Sequence, residues 1–161
     1  MRTILLTLCV VFGLGSTFAQ SELPNLTLKH ISGTEVNLEE LGNSDELTVI
    51  TLWATWCVPC IRELEAINDF YTDWQDELGI TLYAVSQDDT RTSKRVRPMV
   101  AGKGWEYEVL LDPNNDLQRH LGAANIPVTI VVQNGEIVYR RNNYAPGAEH
   151  ELYEKLVKLK G

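Results

Sequence analysis

The sequence has 161 residues, of which 44% are hydrophobic and 22% charged, a composition typical of one globular domain. Its formal net charge of −8 argues against nonspecific binding to nucleic acids, which requires clustered positive charge. The sequence contains neither an internal repeat nor a low-complexity segment, which excludes repeat proteins and long disordered chains.

The N-terminus has the features of a secretory signal peptide. Arg2 precedes an apolar run over residues 4–14, and small residues, Thr17 and Ala19, occupy the −3 and −1 positions before a cleavage site. A helix that spans a bilayer needs about 20 apolar residues, and this run is shorter. We therefore predict a signal peptide over residues 1–19 and a soluble exported domain over residues 20–161. An uncleaved membrane anchor and a lipoprotein stay open as alternatives, although Cys9 lies inside the apolar run and not at a cleavage site.

The mature chain alternates between strand and helix patterns. Short alternating runs predict a β-hairpin over 26–28 and 36–38, followed by a helical turn over 39–43. Four segments are almost continuously apolar, as strands buried on both faces are: 47–53, 80–85, 107–111 and 128–132. Helical spacing and helix-ending residues predict four helices: 57–78, 92–102, 116–121 and 148–160. Asn134-Gly135 signals a hairpin to a last strand over 137–140.

This order of elements predicts an α/β fold. A largely parallel sheet with helices on both faces is expected from the strand–helix alternation, and the final hairpin adds antiparallel pairing at one edge. Pro98 lies either in the middle of the predicted helix over 92–102 or at a break in it.

A basic stretch interrupts the otherwise acidic sequence. Between Thr90 and Trp105 there are five basic residues and no acidic ones: Arg91, Lys94, Arg95, Arg97 and Lys103. A solvated helix face explains the stretch, and so does a docking surface for an acidic partner.

Cysteine usage indicates redox chemistry. Cys9 leaves with the predicted signal peptide, so the mature chain keeps only Cys57 and Cys60, spaced C-x-x-C. A structural disulfide closing so small a ring stabilises a fold by only about 2 kcal/mol. A zinc site needs two more ligands at matching spacing, and the three histidines are scattered. The spacing excludes a copper-carrying C-x-x-x-C, and a peroxidatic cysteine stays as a minor alternative.

The cysteine pair falls where a predicted strand meets a predicted helix. The first turn of a helix has unpaired N–H groups and a partial positive charge, which stabilise a thiolate at Cys57. Cys60 follows one turn later on the same side, close enough to attack a mixed disulfide formed at Cys57. We predict that Cys57 is the exposed nucleophile and Cys60 the buried resolving thiol.

Glu63 is a candidate for proton transfer. On a helix it shares one seam with Cys60, Ile67, Phe70 and Trp74, so its carboxylate would lie beside apolar residues one turn from Cys60. There it could accept or give a proton during thiol exchange. Alternatively, Glu63 extends to water beside Arg62.

The segment Trp53-Ala54-Thr55-Trp56-Cys57-Val58-Pro59-Cys60-Ile61-Arg62-Glu63-Leu64 resembles the active-site signature of TlpA/ResA-type exported thioredoxin-like proteins. The predicted hairpin from Leu23 to Leu38 resembles the N-terminal extension of that family. Ile126-Pro127-Val128-Thr129 is similar to the cis-proline loop of thioredoxin folds. The resemblance implies a thioredoxin-like α/β fold, with a central mixed sheet flanked by helices and an N-terminal β-hairpin.

The resemblance also implies roles for individual residues. Pro127 is expected to be cis and to pack against the cysteine pair, and the backbone of Ile126 to pair with an extended substrate; Trp56 and Pro59 join them as predicted substrate-binding residues. Glu63 matches a functional glutamate of ResA-like members. Thioredoxins bury an aspartate where this sequence has Thr51, which cannot titrate.

The expected activity is that of an exported, periplasmic thiol–disulfide oxidoreductase whose catalytic residues are Cys57, Cys60 and Glu63. The resemblance favours a reductant of cysteine-containing exported proteins, such as apocytochrome c or proteins with copper-site cysteines. A membrane thiol transporter would be its electron donor. We expect no cofactor beyond the Cys57–Cys60 disulfide and no metal. A thiol oxidase or isomerase of the same fold, or a non-catalytic binding module, remains as an alternative.

Overall fold

The computed structural model describes residues 22–161, so the predicted signal peptide lies outside the described residues. The strands are β1 (Thr27–His30), β2 (Glu35–Asn37), β3 (Thr48–Trp53), β4 (Thr81–Ser86), β5 (Glu108–Leu111), β6 (Val128–Gln133) and β7 (Glu136–Asn142). The helices are α1 (Leu38–Gly42), α2 (Val58–Asn68), α3 (Tyr71–Leu78), α4 (Val96–Lys103), α5 (Asp116–His120) and α6 (Ala148–Lys160). A short 3-10 helix, Ser93–Arg95, precedes α4. None of the helices within residues 22–161 combines the length and the apolar composition that a membrane-spanning helix requires.

The strands form one sheet in the order β2-β1-β5-β4-β3-β6-β7. Only the β3/β4 and β4/β5 pairs are parallel, and β6 runs antiparallel to the central strand β3. The sheet is therefore mixed, and the largely parallel sheet expected from strand–helix alternation is wrong. The connection between β5 and β6 contains only the short helix α5, and it leads the chain into β6 in the direction opposite to β3. The thioredoxin-like α/β fold, with its N-terminal hairpin β1/β2, is confirmed.

All six residues of β3 are buried, because helices cover both faces of the sheet. Side chains alternate between the two faces of a strand. Val49 and Trp53 face the core beneath α2, α3, α4 and α6, whereas Ile50 and Leu52 face the smaller core beneath α1 and α5. The centre of the sheet therefore gives the residues that follow β3 a rigid support.

The single helix predicted over residues 57–78 is two helices in the structure. Phe70, at φ −124° and ψ −3°, leaves the helical conformation between α2 and α3. Its N–H donates to the carbonyl of Ile67 at 3.0 Å, and its own carbonyl accepts from Trp74 at 3.0 Å. Of the predicted seam, Cys60, Glu63, Ile67 and Trp74 are buried, whereas Phe70 is exposed at the junction.

The second difference concerns the predicted helix over residues 92–102. It begins as the 3-10 helix and continues as α4, and Pro98 lies in the first turn of α4. A proline is accommodated there because the first N–H groups of a helix have no partner within it. The proline therefore lies next to the junction of the two helices and not in the middle of one.

Candidate active site

The cysteine pair lies at the N-terminus of α2, directly after the central strand β3. The loop over residues 54–57, here called the cysteine loop, closes with a hydrogen bond from the Cys57 N–H to the carbonyl of Ala54 at 3.0 Å. Cys57 is the N-cap of α2, and its carbonyl accepts the first helical bond, from Ile61, at 3.1 Å. Pro59 fits the first turn, as the sequence predicted. The sulfur of Cys57 therefore lies where the helix end is electropositive.

Cys57 and Cys60 form a disulfide, with their Cα atoms 5.3 Å apart. Cys60 has no exposed surface and Cys57 has only 6%. The predicted order of burial holds, but the prediction of an openly exposed Cys57 is wrong for this oxidised form. Cys57 belongs to the core beneath α2, and only a small part of it is accessible.

The sequence neighbours of Cys57 include exposed apolar side chains. Trp56 is 58% exposed and Val58 is 57% exposed, and Pro59 is also exposed. Exposed apolar side chains that lie together are typical of a surface that binds a partner. The structure thus places Trp56 and Pro59 next to the disulfide in sequence and leaves both accessible to a substrate.

The loop before β6 reaches the disulfide from the other side. The Ile126–Pro127 peptide bond is cis, as predicted. The sulfur of Cys57 lies 3.9 Å from the carbonyl oxygen of Ile126, and Pro127 is buried. Residues far apart in sequence therefore meet at Cys57.

Glu63 is fully buried one turn below Cys60. Its Oε1 accepts a hydrogen bond from the Thr129 hydroxyl at 2.6 Å, and its Oε2 accepts one from the Thr51 hydroxyl at 3.3 Å. The alternative in which Glu63 extends to water beside Arg62 is wrong, because these two strand residues hold the carboxylate inside the protein.

The cationic partner of Glu63 was not predicted from the sequence. The Nη2 atom of Arg141 on β7 donates to Oε1 of Glu63 and forms a buried ion pair with it. Arg141 pairs with Thr129 in the β6/β7 register, which brings both residues to the same carboxylate. Strand alternation gave only a local signal, since Tyr139 and Arg141 lie two residues apart, and a bulge places Ile137 on the opposite face. The partner of Arg141 lies 78 residues away in sequence.

Asp88, also missed, is a second buried carboxylate near the cysteine loop. It accepts hydrogen bonds from the backbone N–H and the hydroxyl of Thr55 and from the hydroxyl of Ser86. The available signal was its position: Asp88 follows β4 at the carboxyl end, beside the end of β3, where the sites of α/β sheets commonly lie.

Tyr107 supports α2 from below. Its hydroxyl donates to the carbonyl of Leu64 at 2.7 Å. Burial raises the pKa of Tyr107 well above its usual value, with smaller contributions from the charges of Tyr71, Asp69 and Glu63. The buried hydroxyl therefore remains a hydrogen-bond donor at neutral pH.

The fold and this site together define a thioredoxin-like protein with a disulfide at the N-terminus of a central helix. The chain belongs to the AhpC/TSA family, whose family model matches residues 19–140. A thioredoxin-like protein from Porphyromonas gingivalis has a solved structure that is 44% identical in sequence, with a TM-score of 0.75 over 86% of this chain and 92% of that one.

More distant relatives confirm the predicted TlpA/ResA-like membership. The thiol-disulfide oxidoreductase ResA of Bacillus anthracis is 24% identical over 118 residues, which are 73% of this chain and 65% of that protein. This chain therefore matches about two thirds of the length of that curated relative. StoA from Bacillus subtilis, at 20% identity and a TM-score of 0.65 over 83% of this chain and 97% of that one, shares the fold.

Proposed function

We propose that this protein is an exported thiol–disulfide oxidoreductase that reduces disulfides in partner proteins through Cys57 and Cys60. The single observation that carries the proposal is the Cys57–Cys60 disulfide at the start of α2, beside the carbonyl oxygen of Ile126. Membership of the TlpA/ResA-like family supports the same activity.

The position of the pair supports a reactive thiolate at Cys57. Cys57 is the N-cap of α2 and makes no side-chain capping bond. The unpaired N–H groups of the first turn and the helix dipole favour negative charge there. A thiolate is the attacking species in disulfide exchange, so stabilising it at Cys57 increases the fraction of protein ready to react.

The reaction has two exchange steps. In the dithiol form, the Cys57 thiolate attacks a client disulfide, forms a mixed disulfide and releases one client sulfur as a thiolate. The Cys60 thiol then loses its proton and attacks the Cys57 sulfur, which forms the Cys57–Cys60 disulfide and releases the second client thiolate. Two electrons pass to the client, and the two client thiolates take up protons. The structure holds the oxidised end of this cycle.

Glu63 is the proposed proton acceptor for Cys60. It lies one helical turn from Cys60 and is fully buried. Thr129 and Thr51 fix its carboxylate, which gives it a defined position relative to the helix. A positioned carboxylate can take the Cys60 proton as that sulfur becomes the nucleophile.

The client would bind across the exposed surface of Trp56 and Val58 and the loop at Ile126. An extended segment can form backbone hydrogen bonds there while its cysteine reaches Cys57. The clients we propose are exported proteins with paired cysteines, such as apocytochrome c or proteins with copper-site cysteines. The same proposal includes a periplasmic location and a membrane thiol transporter as electron donor. It also includes an activity that depends on the disulfide alone, without a cofactor.

Trapping of mixed disulfides tests the activity. The Cys60→Ala variant lacks the resolving thiol, so Cys57 should remain bonded to its clients, and those complexes should separate on reduction. The Cys57→Ala variant is the matched control because it lacks the proposed nucleophile. Equal trapping by the two variants, or none with the fold intact, would instead favour the non-catalytic binding module.

The direction of electron flow needs a separate measurement. Equilibration of the purified protein with glutathione buffers gives the reduction potential of the Cys57–Cys60 pair. A reductant should have a reduction potential close to that of thioredoxin, which is about −270 mV, or below it. A potential near the about −120 mV of strong oxidants would make the protein a thiol oxidase.

A further inference from the structure

Glu63 and Arg141 form an ion pair inside the protein, close to the disulfide. The side chain of Glu63 is 1% exposed and that of Arg141 is 12% exposed. Burial favours the neutral, protonated form of a lone carboxyl group, whereas a cation in direct contact favours the carboxylate. A buried ion pair is costly to form and costlier still to break, because removing one partner leaves the other charge unpaired.

The ion pair is held from several elements. Besides Glu63, Arg141 binds the carbonyl of Ala148, the first residue of α6, through Nη1. Thr129 on β6 binds the same Oε1 atom of Glu63 that Arg141 binds. The guanidinium is therefore fixed by a helix end and a carboxylate, and its Nε has no hydrogen-bond partner within residues 22–161.

Other titratable groups face this pair. Tyr107 immediately precedes β5. Burial is the main cause that raises its pKa, and the negative charge of Glu63 makes a smaller contribution in the same direction. Tyr144, ahead of α6, donates to Glu149 at 3.1 Å, and burial, with this hydrogen bond, raises its pKa. The Gly147 N–H also donates to Glu149, at 3.1 Å. Both tyrosines thus remain neutral at physiological pH, and backbone and hydroxyl donors bind Glu149.

We propose that Arg141 is a positioning residue that holds Glu63 as a carboxylate, in its proton-accepting form, while the cysteine pair reacts. This inference rests on the proposed function. In the second exchange step the Cys60 thiol gives its proton to the Glu63 carboxylate, and the Cys60 thiolate attacks Cys57. Arg141 acts through Glu63 and touches neither sulfur nor client.

The pH dependence of exchange tests this role. The rate at which the reduced protein reduces a disulfide peptide is measured between about pH 5 and 9. Arg141→Met should raise the pH midpoint of that rate by about one unit, because the carboxylate loses the cation that favours its charged form. Arg141→Lys keeps the positive charge, so its pH midpoint should lie close to that of the wild type. Arg140→Met is the matched control, since Arg140 on the same strand binds Leu121 and Asn142.

A double-mutant cycle separates the effect on Glu63 from a direct effect on the sulfurs. In a Glu63→Gln background the contribution of the carboxylate to the pH profile is absent, so Arg141→Met should leave the remaining midpoint unchanged. A shift of the same size in that background would overturn the proposal, and so would a wild-type midpoint in Arg141→Met alone. If the wild-type protein exchanges no disulfides, the proposed function itself fails. The double-mutant cycle is a separate test, because it compares only proteins that are active.

Infrared difference spectroscopy tests the same claim without a substitution at Arg141, which could destabilise the protein. Wild-type protein in the disulfide form, compared with the Glu63→Gln variant at neutral pH, should show the bands of a carboxylate at Glu63. The carbonyl band of a protonated carboxyl group would overturn the proposal, whatever the stability of the Arg141 variants.

Discussion

Asp88 accepts hydrogen bonds from both the backbone N–H of Thr55, at 2.8 Å, and its hydroxyl, at 2.6 Å. Thr55 lies in the cysteine loop, two residues before Cys57, and Asp88 lies two residues beyond the end of β4. Ser86, the last residue of β4, donates to the same carboxylate at 2.9 Å. The sheet therefore holds the cysteine loop through one buried side chain.

Removing this carboxylate should loosen the cysteine loop. In Asp88→Ala the buried Thr55 N–H loses its acceptor, so we expect the free energy of unfolding to fall by about 3 kcal/mol. Exchange with a disulfide peptide should also slow under conditions where the variant is folded, because the cysteine loop is no longer fixed. Urea unfolding and exchange rates measure the two effects. Asp76→Asn, an exposed change on α3, is the control; comparable losses in both variants would contradict this role of Asp88.

The sequence predicts the active-site segment better than it predicts its surroundings. The position of Cys57 and Cys60 before α2 follows from local patterns, since a buried strand and a helical repeat meet there. The break at Phe70 is not visible in the pattern, because one residue leaves the helical conformation while Tyr71, Trp74 and Leu78 keep the apolar spacing.

The Glu63–Arg141 pair was beyond reach for a different reason. Its two residues are brought together by the antiparallel β3/β6 and β6/β7 registers, which pair Thr51 with Thr129 and Thr129 with Arg141. Local periodicity can place each residue on a face of its own element but does not give the order of strands in the sheet. The alternation of strands and helices, taken alone, even favoured the wrong direction for β6.

The two threonines that bind Glu63 should differ in importance. Thr129 donates to Glu63 at 2.6 Å, whereas Thr51 donates at 3.3 Å. A hydrogen bond to a buried carboxylate contributes about 2 kcal/mol, so Thr129→Val should destabilise the protein by about that amount and Thr51→Val by less. Thr129→Val should also raise the pH midpoint of exchange, in the same direction as Arg141→Met. Chemical denaturation and the pH–rate profile measure both effects; an equal loss in the two variants would show that the shorter contact is not the stronger one.

Tyr107 links the stability of the site helix to pH. The pKa of Tyr107 is raised in the folded protein, whereas tyrosine in the unfolded chain titrates at about pH 10. As the pH rises, the unfolded chain therefore loses this proton before the folded protein does. Stability from this group is therefore complete below about pH 10 and is lost as the pH rises further. Tyr107→Phe should cost about 1 kcal/mol at neutral pH, through the lost bond to Leu64, and should make the alkaline decline in stability shallower.

The control for Tyr107 is Tyr139 on β7, a half-buried tyrosine whose hydroxyl makes no hydrogen bond within residues 22–161. Thermal melts of Tyr107→Phe and Tyr139→Phe at neutral and alkaline pH compare the two hydroxyls. If Tyr139→Phe altered the alkaline decline as much as Tyr107→Phe, the raised pKa of Tyr107 would not be its cause.

The basic stretch follows, along the chain, the residue that holds the cysteine loop. The 3-10 helix that carries Lys94 and Arg95 begins shortly after Asp88, which binds the cysteine loop. Arg91 and Lys103 form ion pairs with Asp89 and Glu65, whereas the side chains of Lys94 and Arg95 are exposed beside Pro98 and Met99. A positive surface on an acidic protein attracts acidic partners selectively.

We therefore predict that the Lys94→Gln/Arg95→Gln variant has a kcat/KM about fivefold lower for a disulfide peptide with acidic flanks, and unchanged for one with neutral flanks. Added salt should reduce the wild-type rate with the acidic peptide toward that of the variant, because exposed charges are screened. The matched control is Lys158→Gln/Lys160→Gln on α6, where Lys160 lies near Gly79, at the end of the sheet opposite to Cys57. If both double variants lose the same rate, net charge and not this surface sets the preference. If neither does, the basic stretch is a solvated helix face.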